Sequence, residues 1–177
     1  MAMAAASVGF PSQAAQLPAS VTTEFAQATL LAGQGQMRFL GLRIYDARLW
    51  VTPDFQVQSF ANYPFALELT YHRAFTGKAI AERSVQEIER QTSLDPAQAQ
   101  RWTELLTNWL PDVKAGDSLT GVYVPQQGMR LWLGSQELGM LDNPELARYF
   151  FGIWLSPKTS EPRLREALVA DLRKSNP

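Results

Sequence analysis

The stretch Asn143–Leu155, Asn-Pro-Glu-Leu-Ala-Arg-Tyr-Phe-Phe-Gly-Ile-Trp-Leu, decides how this chain must fold. Asparagine followed by proline is typical of a helix start, and apolar residues then occupy almost every face of the predicted helix. The stretch is shorter than the roughly 20 apolar residues that a membrane-spanning helix requires. We therefore expect a helix that is buried between other layers, and the rest of the chain must cover it.

Composition places the chain among globular proteins. It has 177 residues, of which 46% are hydrophobic and 19% charged, which fits one folded domain with a sizeable core. The net charge is −1 and the basic residues are scattered, which argues against nucleic-acid binding. The chain has no cysteine and only one histidine, His72, so thiolate and multi-histidine metal sites are excluded. We expect no metal and no cofactor.

The first residues differ in composition from the rest. Residues 1–23 are predicted to form a flexible N-terminal tail, and residues 24–177 a single domain. The tail is rich in small residues but has neither a basic start nor a long apolar run, so it is not an intact secretory signal. Two interpretations stay open: a remnant left after signal-peptide removal, or a simple flexible N-terminus. The first predicts a periplasmic or otherwise exported protein.

Three strands are predicted before the first helix. Two of them span 24–33 and 36–51, and Gly33-Gln34-Gly35 joins them because glycine adopts positive φ angles without steric cost. Gly41 would then mark a bulge or the close approach of another backbone. Alternation of side chains predicts the third strand at Phe65–Tyr71.

Two helices follow. Thr76 is a suitable N-cap for a helix over 77–92, and Asp95 with Pro96 predicts a second helix that ends before Pro111. The predicted inner face of the first helix contains Ile80, Ser84, Val85 and Ile88. Its predicted solvated face contains Glu82, Arg83, Glu87, Glu89 and Arg90. The predicted inner face of the second helix contains Trp102, Leu105, Leu106, Trp109 and Leu110.

The C-terminal part repeats this order of strands and helices. Strands are predicted at 118–124, 129–133 and 137–141, followed by the buried helix and by a last helix that Glu161-Pro162 opens. Strands that come in blocks, rather than alternating with helices, favour the α+β class. We expect an antiparallel β-sheet with helices packed on one face.

Several local sequences point to a family. Phe75-Thr76-Gly77-Lys78 is similar to a Leu-Thr-Gly-Lys motif of plant chalcone isomerases. Gly-Met-Arg-Leu-Trp-Leu-Gly at 128–134, Leu-Gly-Met-Leu at 138–141 and the 143–155 helix resemble the C-terminal half of that family. Tyr-Asp-Ala-Arg-Leu-Trp at 45–50 resembles a strand of its bacterial members. The chain thus resembles the chalcone isomerase-like family, specifically its bacterial branch, and the resemblance implies that family's open-faced sandwich over about 24–173.

The resemblance does not extend to the catalytic residues of the family. Its enzymes close a chalcone to a flavanone with an arginine, a threonine, a tyrosine and an asparagine. On an ungapped comparison these positions are held by Ala28, Leu40, Ile80 and Glu87. Orienting a phenolate and polarising a carbonyl need a cation and hydroxyl donors, which alkyl groups do not provide. The resemblance therefore implies a non-catalytic protein.

A hydrophobic small molecule is the predicted partner, because binding clefts are mostly apolar with a few fixed polar groups. Some non-catalytic plant members of the family bind fatty acids through an arginine and a tyrosine. In this chain those two positions are Ala28 and Ile80, so that contact does not carry over. Because side chains two apart share a strand face, Arg38 and Leu42 are expected to face the cleft together with Leu40.

Arg38 is the residue on which the predicted site depends. It would either anchor an anionic head group or pair with an acidic neighbour at the rim of the sheet. The predicted ligand-binding residues are Arg38, Leu40, Leu42, Tyr71 and Ile80.

Three hypotheses about function remain open. The first is a protein that binds a fatty-acid-like ligand. The second is an isomerase or lyase with relocated groups at Arg38, Tyr45 or Tyr71. The third is an interaction module whose cleft is filled by side chains.

Overall fold

A computed structural model of the protein describes residues 29–172. Six strands form one antiparallel sheet in which each strand pairs with its neighbours in sequence order. The strands are β1 Leu30–Phe39, β2 Leu42–Val51, β3 Phe65–Tyr71, β4 Ser118–Val124, β5 Gly128–Leu133 and β6 Gln136–Leu141. A short 3-10 segment, Val57–Asn62, lies between β2 and β3.

Four α-helices complete the described part: α1 Gly77–Glu89, α2 Pro96–Trp109, α3 Pro144–Leu155 and α4 Pro162–Leu168. The predicted caps are present at the first three. The side chain of Thr76 accepts the Ala79 N–H at 3.1 Å, and Asp95 and Asn143 cap α2 and α3 in the same way. The predicted α+β class, an antiparallel sheet with helices, is confirmed.

Helix α3 lies in the centre of the core. Beyond its first turn all of its side chains except Arg148 are buried or half-buried, which agrees with the expectation of a helix covered by other layers. The Phe151 ring lies edge-on to Phe65 of β3, with ring centroids 5.0 Å apart. The buried residues of α3 are Leu146, Ala147, Phe150, Phe151, Gly152, Trp154 and Leu155.

The first hairpin differs from the prediction. Gly33 and Gly35 do not form its turn but lie inside β1, and the turn is Leu40-Gly41, with Phe39 paired to Leu42. A Cβ atom on Gly33 would collide with the main-chain carbonyl of Ala167 in α4. The glycines are therefore needed for close packing of α4 on β1. The predicted strand boundaries at 33 and 36 are wrong for this reason.

Helix α2 also departs from its predicted inner face. Trp102 and Leu106 are buried and Trp109 is half-buried, but Leu105 is 43% exposed. Trp50 and Trp132, on strands β2 and β5, are buried in a second cluster on the opposite face of the sheet.

The predicted domain boundary between residues 23 and 24 lies outside the described residues, as does Ala28. Within residues 29–172, no helix is both long enough and apolar enough to cross a bilayer.

Candidate functional site

A cavity of about 390 Å³ lies between the sheet and the helices, and it is partly open to solvent. This volume is in the range of small-molecule binding sites, roughly 300–1,000 Å³. Most of the wall is apolar. Leu67 and Leu69 of β3 line the sheet side, and Ile80 of α1 and Phe150 of α3 line the helix side.

A glycine in the sheet shapes the wall of the cavity. Gly121 of β4 pairs with Leu67 on one side and with Leu131 on the other, and all three line the cavity. A Cβ atom on Gly121 would lie 3.0 Å from the Phe151 ring. Glycine therefore allows the ring of α3 to lie directly against the sheet, which sets the distance between the two layers here.

Two tyrosines bring hydroxyl groups to the wall. Tyr45 of β2 and Tyr71 of β3 lie edge to face, with ring centroids 5.8 Å apart. The Trp154 indole N–H donates a hydrogen bond of 3.0 Å to the Tyr45 hydroxyl. Burial raises the pKa of both tyrosines far above the usual value. Both hydroxyls therefore stay neutral, and each keeps a proton that it can donate.

An ion pair on α1 forms another part of the wall. Arg83 Nη2 lies 2.6 Å from Glu87 Oε1, and both side chains line the cavity. Glu87 is only 6% exposed, and Arg90 Nε approaches its other oxygen at 3.5 Å. The prediction of a solvated face containing Glu87 is wrong, because Glu87 faces the core.

The sequence contains a signal for this arrangement in the spacing of three residues. Ile80, Arg83 and Glu87 are spaced i, i+3 and i+7, which places them on one face of a helix. The charges of Arg83 and Glu87 favour a solvated position instead, and this is why the spacing alone did not predict them on the cavity wall. The cavity wall also includes Glu161, which precedes α4.

The predicted ligand-binding residues are separated by the fold. Tyr71 and Ile80 lie on the cavity wall, whereas Arg38, Leu40 and Leu42 lie outside it. Leu40 is in the turn, and Arg38 is exposed with Nη1 3.5 Å from the Gly41 carbonyl oxygen. The argument that these three side chains face the cleft is wrong, because it assumed a continuous strand through Leu40.

A polar cluster lies near the β1–β2 hairpin, where β2 begins and β3 ends. The carboxylate of Asp46 is 2.8 Å from His72 Nε2, 2.7 Å from Gln36 Nε2 and 3.4 Å from Arg43 Nη2. Burial alone would raise the pKa of Asp46, but these hydrogen bonds and charges hold it below the usual value. The single histidine of the chain is therefore held by a carboxylate outside the cavity wall.

The positions compared with the catalytic residues of chalcone isomerases are not gathered at one site. Ile80 and Glu87 lie on the cavity wall, and Leu40 lies in the turn outside it. Within the described residues, no group of three or more metal-ligating side chains occurs. The cavity wall carries the hydroxyl-bearing residues Tyr45, Tyr71, Ser84 and Ser160, one guanidinium and two carboxylates. The Ser84 hydroxyl donates to the Ile80 carbonyl oxygen, so the tyrosines, Arg83 and the glutamates are the main groups that can act on a bound molecule.

Comparisons with known proteins identify a family and a similar fold. A protein-family model described as chalcone isomerase-like matches residues 12–170. The crystal structure of a fatty-acid binding protein from Arabidopsis thaliana is similar, with a TM-score of 0.61 and 12% sequence identity. The similarity covers 83% of this chain and 89% of the plant chain. A search of curated protein sequences gives no match to this chain.

Proposed function

The chain belongs to the chalcone isomerase-like family, and on this premise we propose that it binds a fatty-acid-like amphiphile without catalysing a reaction on it. The observation that carries the proposal is the cavity of about 390 Å³ with its mostly apolar wall. An apolar cavity that is partly open to solvent favours uptake of an apolar molecule, because binding removes the apolar surface of both from water. The fold shared with a plant fatty-acid binding protein supports the same conclusion.

The hydrocarbon part of the ligand would lie between the two apolar walls. Leu67 and Leu69 on the sheet side and Ile80 and Phe150 on the helix side offer no hydrogen-bonding groups to it. Each methylene moved from water into such a site contributes about 0.8 kcal/mol. Affinity should therefore rise about fourfold per methylene along a series of saturated ligands, until the cavity is full.

The polar end of the ligand would lie at the tyrosines and at Arg83. The neutral hydroxyl of Tyr45 already accepts a hydrogen bond from Trp154, so its own proton is available to a ligand oxygen. A guanidinium has five N–H donors, and the contact with Glu87 leaves others for a ligand. Glu87 and Glu161 limit the affinity for a carboxylate ligand, because their negative charges repel its charge.

The absence of catalysis is part of the proposal. Of the two positions compared with hydroxyl donors of the chalcone isomerases, Ile80 puts an alkyl group on the cavity wall, and Leu40 lies in a turn outside the cavity. The alternative is an isomerase or lyase that uses Tyr45 and Tyr71, and it is supported by two buried hydroxyls on one wall. Turnover of a chalcone by the wild type, abolished by Tyr45→Phe, would support the alternative.

The proposal is tested by calorimetric titration of delipidated protein with a series of saturated fatty acids. Ile80→Trp should fill part of the cavity and weaken binding at least about tenfold. Leu105→Trp is the matched control, because Leu105 is an exposed residue of α2 away from the cavity wall. The proposal fails if no member of the series binds, or if both tryptophan variants bind like the wild type.

A further inference from the structure

The tip of the β1–β2 hairpin carries an exposed apolar patch. Leu40 is 85% exposed, and its neighbours Phe39 and Leu42 are 55% and 50% exposed. Elsewhere in the described part of the chain, the large apolar side chains with comparable exposure are Leu30 and Leu105, which stand singly. Single exposed leucines are normal in soluble proteins, but a cluster of three is typical of an interaction surface.

The backbone at the tip is unfavourable for the residue that it carries. Leu40 has a φ angle of 49° and Gly41 one of 78°, as in the two-residue turns that close β-hairpins. Asparagine or glycine usually occupies the first position, because a Cβ atom followed by a bulky side chain is strained there. The chain therefore presents a leucine to solvent at a position where an asparagine would be more stable. Such an outlier indicates a function for the side chain.

Positive charge flanks the apolar tip. Arg38 and Arg43 are paired directly across the hairpin, an arrangement that repels. Arg43 contacts Asp46 at 3.4 Å, whereas the one side-chain contact of Arg38 within residues 29–172 is with the Gly41 carbonyl oxygen. An anionic surface facing the tip would relieve this repulsion.

The same hairpin forms part of the cavity wall. Met37 and Phe39 of β1 and Ile44 of β2 line the cavity. Because Phe39 is half exposed and also belongs to the wall, the tip borders the opening. An apolar molecule that left a bilayer at this point would reach the cavity without crossing water.

We propose that the hairpin tip, residues 38–43, inserts its apolar side chains into the surface of an anionic lipid bilayer. Phe39, Leu40 and Leu42 enter the acyl boundary, and Arg38 contacts lipid phosphates. A bilayer fits better than a protein partner, since a stable protein interface takes about 20–30 residues on each side. This inference goes beyond ligand binding, because it concerns where the protein is held when its cavity is loaded.

The test is co-sedimentation of the full chain with vesicles of phosphatidylcholine alone or mixed equally with phosphatidylglycerol. The double variant Leu40→Asn, Leu42→Thr should bind the mixed vesicles about tenfold more weakly. Asparagine suits the turn and threonine suits a strand, so the variant should melt no lower than the wild type. The control Leu105→Gln removes an exposed leucine from α2 and should bind like the wild type.

Charge is tested separately with Arg38→Gln. It should weaken binding to mixed vesicles about fivefold, which corresponds to about 1 kcal/mol per basic residue near an anionic surface. Binding to vesicles of phosphatidylcholine alone should hardly change. Equal losses on both kinds of vesicle would overturn the role of Arg38.

Two results would overturn the proposal as a whole. In the first, the wild type does not sediment with either vesicle, or the double variant sediments equally well. In the second, the wild type is a dimer in solution and the double variant a monomer, which would assign the tip to a second copy of the chain. Fatty-acid titration without vesicles separates this inference from ligand binding. Leu40 and Leu42 lie outside the cavity wall, so their variant should keep wild-type affinity.

Discussion

Trp154 of α3 and Tyr45 of β2 are joined by a hydrogen bond of 3.0 Å, although they lie 109 residues apart in the sequence. The indole N–H is the donor, so the tyrosine oxygen is the acceptor and its proton remains available. The bond fixes the buried helix to the sheet at the edge of the cavity. It therefore serves both the stability of the fold and the polarity of the candidate site.

Removing the acceptor should destabilise the protein. In Tyr45→Phe the buried indole N–H loses its partner, and we expect the free energy of unfolding to fall by about 1–2 kcal/mol. Urea denaturation gives this value. Tyr71→Phe is the matched control, because no described residue forms a hydrogen bond with the Tyr71 hydroxyl. This variant should lower the free energy of unfolding clearly less than Tyr45→Phe. Equal losses in the two variants would contradict the importance of the Trp154 contact.

The two buried tyrosines predict a loss of stability at alkaline pH. Burial raises the pKa of Tyr45 and Tyr71 in the folded state, while an unfolded tyrosine titrates near 10. Their contribution is therefore fully present below about pH 10 and is lost as the pH rises further. The melting temperature of the wild type should fall more steeply above pH 10 than that of Tyr45→Phe, Tyr71→Phe. Identical pH profiles of the melting temperature would show that burial does not raise the pKa of these hydroxyls.

Glu87 should limit the affinity for a carboxylate. Glu87→Gln removes the charge that pairs with Arg83, so a fatty acid should bind about fivefold more tightly, a gain of about 1 kcal/mol. A fatty alcohol of equal length has no charge and should bind about as before. Calorimetry with the two ligands makes the comparison. An equal change for acid and alcohol would mean that Arg83 does not contact the head group.

The glycines of β1 should differ in their tolerance to substitution. A Cβ on Gly33 meets the backbone of α4, whereas a Cβ on Gly35 meets the end of the Leu164 side chain at 2.6 Å. A side chain can rotate away and a helix backbone cannot. Gly33→Ala should therefore lower the free energy of unfolding by about 2–3 kcal/mol, and Gly35→Ala should lower it less. Urea denaturation measures both changes. The packing account is contradicted if Gly35→Ala is the more damaging substitution.

The sequence predicted those parts of the fold whose signals are local. Three helix starts were predicted from their N-cap residues, because a capping side chain bonds to the first turn of its own helix. These residues are Thr76, Asp95 and Asn143. The meander of β4 to β6 was predictable from strand length and turn residues in the same way. The first hairpin was not, because the reason for Gly33 lies in α4, more than 100 residues further along the chain.

The candidate site was predicted less well than the fold. Tyr71 and Ile80 are on the cavity wall, but Arg38, Leu40 and Leu42 are not. Their placement assumed a continuous strand through Leu40, and the hairpin turn lies at Leu40-Gly41 instead. Buried charges were the second difficulty. Glu87 was predicted on the solvated face of α1, although its helical spacing from Ile80 fits the cavity face. A carboxylate is rarely buried unless it is paired, and the pairing of Glu87 with Arg83 is visible only in three dimensions.

The most direct test of ligand binding is a crystal structure of the delipidated protein with a fatty acid brominated at the end of its tail. We predict an anomalous bromine peak inside the cavity between sheet and helices, among side chains such as Leu69 and Phe150. The carboxylate should then lie near Arg83 and Tyr45. A bromine peak elsewhere on the protein, or a cavity that stays free of ligand at saturating concentration, would contradict the account.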